Sequence, residues 1–379
     1  MLPYWLLFLL FAVGAVRFGT MPATAQAADM PLQSAEVRHR WENLGRGARF
    51  LPFAALVPAL MIGFRYAVGT DWGAYVAIFR EIQRSDLGFA LVRIDPAYGA
   101  LNWIAGQLGA GLWLVNLVCG LLFMFGLVRF ARAQPNPWLA VAVAVPYFII
   151  GVGMGYSRQA VAIALSMAGL AAISKGSSFT RFALWVIAGT LFHRTAIILI
   201  PLTAIAYAPN RFQATVITIF GCILGYYLLT IGQGFEHFQH GYISQAYQSQ
   251  GAGVRLAMNV PPALVFLGMS RRFTADETER KIWRNFAIIA ILSFILWFRI
   301  DSTAPLDRMA LYIIPLQIFV LSRIPHAFSG RERSEMFLVV LMIAYSALVQ
   351  LVWLDFSNNA KNWVPYRLYP GASAVHSSV

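Results

Sequence analysis

The stretch FLPFAALVPALMIGFRYAVGTDWGAYVAIFR, residues 50–80, decides the fold class of this chain. Its first half is an uninterrupted apolar run, and its second half begins with Arg65 and carries Asp71 among several aromatic rings. An apolar segment of roughly 20 residues is what an α-helix needs to cross the hydrocarbon core of a bilayer. The stretch therefore predicts a membrane helix that ends at a polar, aromatic surface.

Similar apolar runs recur along the whole chain, in which 59% of residues are apolar and 12% are charged. The predicted spans are 2–16, 50–64, 108–128, 138–153, 158–174, 182–192, 195–208, 212–231, 255–270, 285–299, 308–323 and 336–354. This pattern predicts an all-α, polytopic integral membrane protein with about 11–12 transmembrane helices in a single domain, 1–379. The segment 182–208 fits either two short helices or one broken span.

Positive charge predicts the orientation of the spans. Basic clusters fill alternate loops: Arg17–Arg49, RFAR (129–132), Lys175 with Arg181, Arg211, RRFTADETERKIWR (271–284) and Arg323–Arg333. The positive-inside rule makes that side cytoplasmic and puts the N-terminus outside. The alternative is a signal peptide cleaved after Ala-Gln-Ala (25–27), but cleavage would invert every later loop against the charge bias. Topology and anionic lipid then explain the net charge of +13, and no nucleic-acid partner is expected.

The remaining polar segments are predicted to lie on the outer face. The main ones are loops 65–107, 232–254 and 299–308 and the tail 355–379, with GYSR (155–158) and HR (193–194) between spans. Their basic residues are nearly all arginine, against the positive-inside preference. Arginine at a membrane surface is unfavourable without an anionic partner, and its planar fork suits phosphate. The arrangement indicates an anion-binding site at the outer face.

Several of these segments also form an ordered set of motifs. FRYAVGTDWGAYVAIF (64–79), GYSRQ (155–159), LFHRTA (191–196) and NWVPY (362–366) together resemble the EpsG/Wzy-type polysaccharide polymerases over roughly residues 50–370. The resemblance implies an enzyme of the bacterial cytoplasmic (inner) membrane that joins undecaprenyl-diphosphate-linked oligosaccharide repeat units at the periplasmic face. It also implies a flippase and a chain-length regulator as partners, membrane lipid around the chain, and no cofactor or metal.

That reaction assigns roles to particular residues. The leaving diphosphate needs charge-assisted hydrogen bonds, for which Arg65, Arg299 and Arg308 at the ends of spans are candidates. Arg158 is the leading catalytic arginine, because it opens a helix whose N-terminal N–H groups also favour an anion. Interfacial snorkelling or local ion pairing remains the alternative for each arginine.

Asp71 and His193 are the candidates for the base that deprotonates the acceptor hydroxyl. Asp71 equally fits a helix cap or a partner for Arg65, and His193 equally fits a hydrogen bond at a helix break.

Aromatic and amide side chains complete the predicted substrate site. Tyr75, Trp363 and Tyr366 are candidates for stacking against sugar rings, and Gln159 for hydrogen bonding, although Tyr and Trp are ordinary at membrane interfaces. The Gln-rich loop 232–254 suits recognition of the repeat unit. Two other functions remain open: an O-antigen-ligase-like transferase, and a transporter or flippase of a lipid-linked glycan.

Overall fold

The computed structural model of the chain describes residues 1–18, 47–174, 176, 178–230, 251–274, 276–300, 303–329 and 332–369. Helices follow one another through this part of the chain, and its extended pairing is limited to an isolated bridge between Arg65 and Leu368. The helices are α1 Leu2–Arg17, α2 Gly47–Gly63, α3 Trp72–Ile82, α4 Leu87–Arg93, α5 Pro96–Gln107, α6 Leu112–Ala131, α7 Pro137–Gly153, α8 Ser157–Ile173, α9 Phe179–Thr190, α10 Arg194–Tyr207, α11 Arg211–Thr230, α12 Ala252–Phe273, α13 Glu277–Trp297, α14 Ala304–Phe328 and α15 Arg333–Phe356.

Within the described residues, four helices are long and apolar enough to cross a membrane, judged by length and composition: α6, α12, α14 and α15. Six shorter apolar helices accompany them: α1, α2, α7, α8, α9 and α10. Each predicted span coincides with a helix, so the expectation of an all-α, multi-pass membrane protein is confirmed.

The ambiguous segment 182–208 is a pair of short antiparallel helices. The ring of Phe179 at the start of α9 lies 5.3 Å from that of Tyr207 at the end of α10, so the chain doubles back between them. Each helix is too short to cross the hydrocarbon alone, since the 12 residues of α9 span only about 18 Å. The tip of this hairpin is Leu191–His193, and it carries a predicted functional residue.

The predicted outer segments are more ordered than loops. Residues 65–107, predicted as one outer loop between spans, contain three helices, α3, α4 and α5. The segment 299–308 enters α14 at Ala304, and residues 301–302 lie outside the described part. Most of the loop 232–254, residues 232–250, also lies outside it, as do residues 370–379 of the tail.

The most buried helix, α8, is central to the architecture. Nearly every residue of its sequence SRQAVAIALSMAGLAAI is buried, and it packs on α6 and α9. Its small side chains let neighbouring backbones approach closely, as is usual between membrane helices. Arg158 lies in the first turn of this helix, so the scaffold fixes its position.

The two ends of α8 face different polar environments. Beyond its C-terminal end, Ser174 lines a cavity with Arg132, Arg271, Arg272 and Arg323, which come from three of the predicted cytoplasmic clusters. The arginines of the predicted outer segments gather at its N-terminal end, as described below. The separation agrees with the charge pattern of the sequence.

Candidate functional site

A polar cavity of about 190 Å³ lies at the N-terminal end of α8. It is lined by residues from four separate segments: Asp71, Tyr75, Tyr156, Arg158, Gln159, His193, Thr195, Pro305, Arg308 and Met309. Six of the residues predicted from sequence therefore share one cavity, namely Asp71, Tyr75, Arg158, Gln159, His193 and Arg308. Their convergence depends on helix ends that are distant in sequence.

Behind the cavity, Asp95 connects the groups that carry charge. Asp95 is 3% exposed, and its carboxylate accepts a 2.7 Å hydrogen bond from Arg158 Nη1 and a 3.0 Å hydrogen bond from the backbone N–H of Arg194. His193 Nδ1 lies 3.7 Å from the same carboxylate, longer than a hydrogen bond. Catalytic hydrogen bonds are often long without substrate and shorten when it binds.

Local sequence explains how Asp95 reaches this position. It precedes Pro96, which is pre-organised for the first turn of α5, and its carboxylate makes no capping bond to that helix. The N–H of Ala97 donates instead to the carbonyl oxygen of Leu191 at the hairpin tip, at 2.9 Å. The start of α5 therefore holds the tip, and the carboxylate is left to bind Arg158.

The charges around the site set its protonation states. Burial alone would raise the pKa of Asp95, but the neighbouring His193 ring and the Arg158 guanidinium outweigh it and hold the pKa at about 2. Burial lowers the pKa of His193, with Arg158 and Arg308 acting in the same direction against the opposing effect of Asp95. At neutral pH the site thus combines an ionised carboxylate with a neutral imidazole, the form that can accept a proton.

Arg158 keeps unused donors. Its hydrogen bond to Asp95 uses Nη1, while its buried Nε has no partner among the described residues. The guanidinium carbon lies 5.7 Å from the centre of the Tyr98 ring, and the side chain is 27% exposed. The guanidinium is therefore fixed in orientation and can still donate to an anion in the cavity.

Arg308 lines the same cavity as Arg158 and is oriented by other contacts. Its Nη2 lies 3.3 and 3.2 Å from the two carboxylate oxygens of Asp71, and its guanidinium carbon lies 3.7 Å from the centre of the Tyr156 ring. Gln159 Nε2 donates to its backbone carbonyl at 2.6 Å. Asp71 is thus a partner of Arg308 and neither pairs with Arg65 nor caps α3, although it stands at the N-cap position.

Arg65 does not line the cavity. Its side chain is completely buried and donates to the carbonyls of Ile62 and Val68 and to Ser157 Oγ, at 2.6, 3.3 and 2.7 Å. These bonds tie the end of α2 to the start of α8. Arg65 therefore joins two helix ends outside the cavity, and its contact with diphosphate stays a prediction.

The tail residues predicted to stack on sugars bond to backbone carbonyls of other segments. Trp363 is 1% exposed and donates from Nε1 to the Ile150 carbonyl at 2.8 Å, while Tyr366 donates to the Met61 carbonyl at 2.9 Å. Neither residue lines the polar cavity. Arg299 is exposed at the end of α13 and does not line it either. The tail motif therefore supports the site from behind.

Two functional features were not predicted from the sequence. Asp95 was available as an acidic residue before proline within an arginine-rich outer segment, but no periodicity connects it with Arg158, 63 positions away. Arg255 and Asp307 form a bidentate pair at 2.8 and 2.7 Å, although they lie 52 positions apart in the chain. Both depend on contacts between helices that are distant in the chain.

Comparison with known families gives a match over most of the chain. The model of the EpsG family matches residues 48–368, which cover most of the chain and all the segments that build the site. No curated protein and no solved structure matches the chain. Among the described residues, no group of three His, Cys, Asp or Glu side chains could hold a metal ion.

Proposed function

The chain belongs to the EpsG family, and from that premise we propose that it is a polysaccharide polymerase acting on lipid-linked repeat units. The substrates would be undecaprenyl-diphosphate-linked oligosaccharides, presented at the periplasmic face of the inner membrane after a flippase has delivered them. The growing glycan leaves its lipid diphosphate and is transferred to a sugar hydroxyl of the next unit. Family membership supports the polymerase-type role, and the polar cavity supports the chemistry.

The observation that carries the proposal is the joint lining of one cavity by Arg158, Arg308 and His193. Two guanidinium groups suit a diphosphate, and each is held by a carboxylate and an aromatic ring. A neutral imidazole beside an ionised carboxylate suits proton transfer from a hydroxyl. A glycosyl transfer with a diphosphate leaving group requires both functions.

The proposed reaction proceeds by displacement at the anomeric carbon. The acceptor hydroxyl oxygen attacks that carbon, and the bond from the carbon to the diphosphate oxygen breaks with its electron pair leaving on the diphosphate. Arg158 and Arg308 stabilise the charge that develops there, within a low-dielectric setting where such contacts are strong. The hydroxyl proton passes to His193, and Asp95 stabilises the imidazolium that forms.

The test is the glycan profile of a deletion strain complemented with variants. Wild type should restore a ladder of polymer, whereas Arg158→Ala should leave single repeat units on their lipid carrier at the outer face. Arg93→Ala is the matched control, because Arg93 is also an outer-segment arginine paired with a carboxylate, Glu81, but lies outside the cavity.

Two results would contradict the proposal. A full ladder in Arg158→Ala would remove the diphosphate clamp from the mechanism. A ladder that forms on the lipid carrier in the deletion strain, but is not passed to its final acceptor, would make the protein a ligase.

A further inference from the structure

A second cavity, of about 440 Å³, lies between α12, α15 and the end of α7. Its wall is largely apolar and includes Val254, Met258, Leu348, Val352 and Phe356. Val254, Leu348, Val352 and Phe356 expose 61, 57, 45 and 76% of their surface. On helices that cross a membrane, such side chains face lipid, so the cavity opens sideways into the bilayer.

Two polar atoms in this wall have no hydrogen-bond partner in the described part of the chain. They are the hydroxyl of Tyr147, a residue only 8% exposed, and the indole Nε1 of Trp353. The rings of these residues lie 6.2 Å apart. Buried donors are normally paired, so two unpaired ones in one apolar cavity indicate a ligand with a polar end.

Both residues occur in π-helical turns, Val145–Gly153 of α7 and Val352–Phe356 of α15. Such turns are uncommon and are frequent at functional sites. The two irregular helix ends therefore form the part of the wall that carries the polar atoms.

The start of α14 lies beside both the second cavity and the polar cavity. Arg255 lines the apolar cavity and forms its bidentate pair with Asp307, and the next residue, Arg308, lines the polar cavity. Tyr156, which stacks on Arg308, follows shortly after the π-helical turn that contains Tyr147. Residues at the start of α14 therefore contribute to the surroundings of both cavities.

We propose that the apolar cavity holds the first isoprene units of the polyprenyl chain whose diphosphate occupies the polar cavity. This inference rests on the proposed function, because it assigns a place to the lipid part of the same substrate. The lateral opening lets the rest of the chain remain in the bilayer, and the Tyr147 hydroxyl and Trp353 indole face the boundary between chain and head.

The test measures binding to the purified full-length protein in nanodiscs of neutral phospholipid. The probes are undecaprenyl diphosphate, inorganic diphosphate and phosphatidylglycerol. Val349→Trp narrows the cavity, and Val340→Trp adds the same bulk to a 50% exposed position of α15 outside it. Val349→Trp should weaken binding of undecaprenyl diphosphate by roughly tenfold or more, because excluding two methylene groups removes that much affinity. Inorganic diphosphate should bind all three proteins equally.

Equal binding of undecaprenyl diphosphate by the two tryptophan variants would overturn the inference while leaving the proposed function intact. Displacement of the polyprenyl probe by equimolar phosphatidylglycerol would also overturn it, since the cavity would then be a general lipid site. If wild type bound undecaprenyl diphosphate no better than inorganic diphosphate, the inference alone would fail, because the chain would add no affinity. If wild type bound neither probe, the proposed function would fail as well.

A second measurement tests the inference on wild type alone, in case Val349→Trp fails to fold. A photoreactive isoprenoid diphosphate bound to wild type should label peptides of α12 and α15. Labelling confined to other helices would exclude the proposed chain site.

Discussion

The carboxylate of Asp95 fixes the guanidinium of Arg158 through a 2.7 Å hydrogen bond that joins α5 to α8. The same carboxylate accepts a hydrogen bond from the Arg194 N–H and lies 3.7 Å from His193 Nδ1, so one buried acid joins the arginine that would contact diphosphate to the segment that carries the histidine. The activity of the site should therefore depend on a residue that does not line the cavity.

Asp95→Asn is expected to lower the polymerisation rate by about 10²-fold, the usual range for impaired general-base catalysis. The amide keeps the size of the side chain but neither neutralises Arg158 nor stabilises a protonated His193. The rate would be measured on purified protein with lipid-linked repeat units. Glu81→Gln removes the carboxylate of the exposed Arg93–Glu81 pair and should leave the rate unchanged. A normal rate in Asp95→Asn would limit Asp95 to a structural role.

Arg158→Lys tests whether the positive charge at this position is enough or the planar guanidinium group is required. An ammonium group can contact Asp95 or a phosphate oxygen, but it cannot present the fixed fork that serves both. We expect roughly a 10²-fold lower rate, comparable with the loss of one donor that stabilises transition-state charge. Arg93→Lys is the control at an exposed pair. Near-normal polymer from Arg158→Lys would show that a point charge suffices.

The pH dependence of the rate should report His193. A base acts in its neutral form, and burial lowers the pKa of His193 below its ordinary value of 6.5, so activity should persist at neutral pH and fall only below 6.5. Asp95, with a pKa of about 2, stays ionised across this range. Because that carboxylate favours the imidazolium, Asp95→Asn should move the acid limb to still lower pH. Rates of the reconstituted protein between about pH 4 and pH 8 would test this.

His193→Gln is the companion variant for the pH profile. It retains a hydrogen-bonding side chain but cannot accept a proton, so the rate should fall and the acid limb should disappear. An unchanged limb in this variant would assign the titration to another group.

The sequence was sufficient to predict the membrane class, the helices and six lining residues, because these follow from continuous apolar runs and from charged residues at their ends. It was insufficient to predict that Arg65, Trp363 and Tyr366 lie outside the cavity. An arginine or aromatic ring at the end of a span has the same sequence pattern whether it faces a cavity or packs between two helices. Asp95 became visible only when tertiary packing brought α5, α8 and the hairpin tip together.

Arg65→Lys should act on stability instead of chemistry. A lysine cannot donate to Ile62, Val68 and Ser157 from the positions of the guanidinium, and each acceptor left unpaired in the interior costs about 1–3 kcal/mol. We expect a lower midpoint of thermal unfolding in detergent and less folded protein, with a near-normal rate per folded molecule. Full stability combined with a selective loss of polymerisation would indicate that Arg65 contacts the diphosphate.

Two glycines of the same motif should respond in opposite directions to alanine. Gly69 has φ of +101°, and a Cβ there would lie 2.4 Å from the Met154 carbonyl oxygen, where the loop after α2 meets the end of α7. Backbone strain and the clash together should lower the free energy of unfolding by about 2–5 kcal/mol in Gly69→Ala. Gly73 lies in the first turn of α3, and a Cβ there meets nothing within 4 Å.

Gly73→Ala should therefore raise the free energy of unfolding by roughly 0.5–1 kcal/mol through helix propensity. Thermal unfolding of both variants in the same detergent checks the pair. The tail also supports the loop at Gly69, because the Gly69 N–H donates to the Asn362 carbonyl at 2.8 Å. If Gly69→Ala were as stable as Gly73→Ala, this loop would not approach Met154 closely. The contacts by which the tail holds the loop beside Asp71 would then differ from those described.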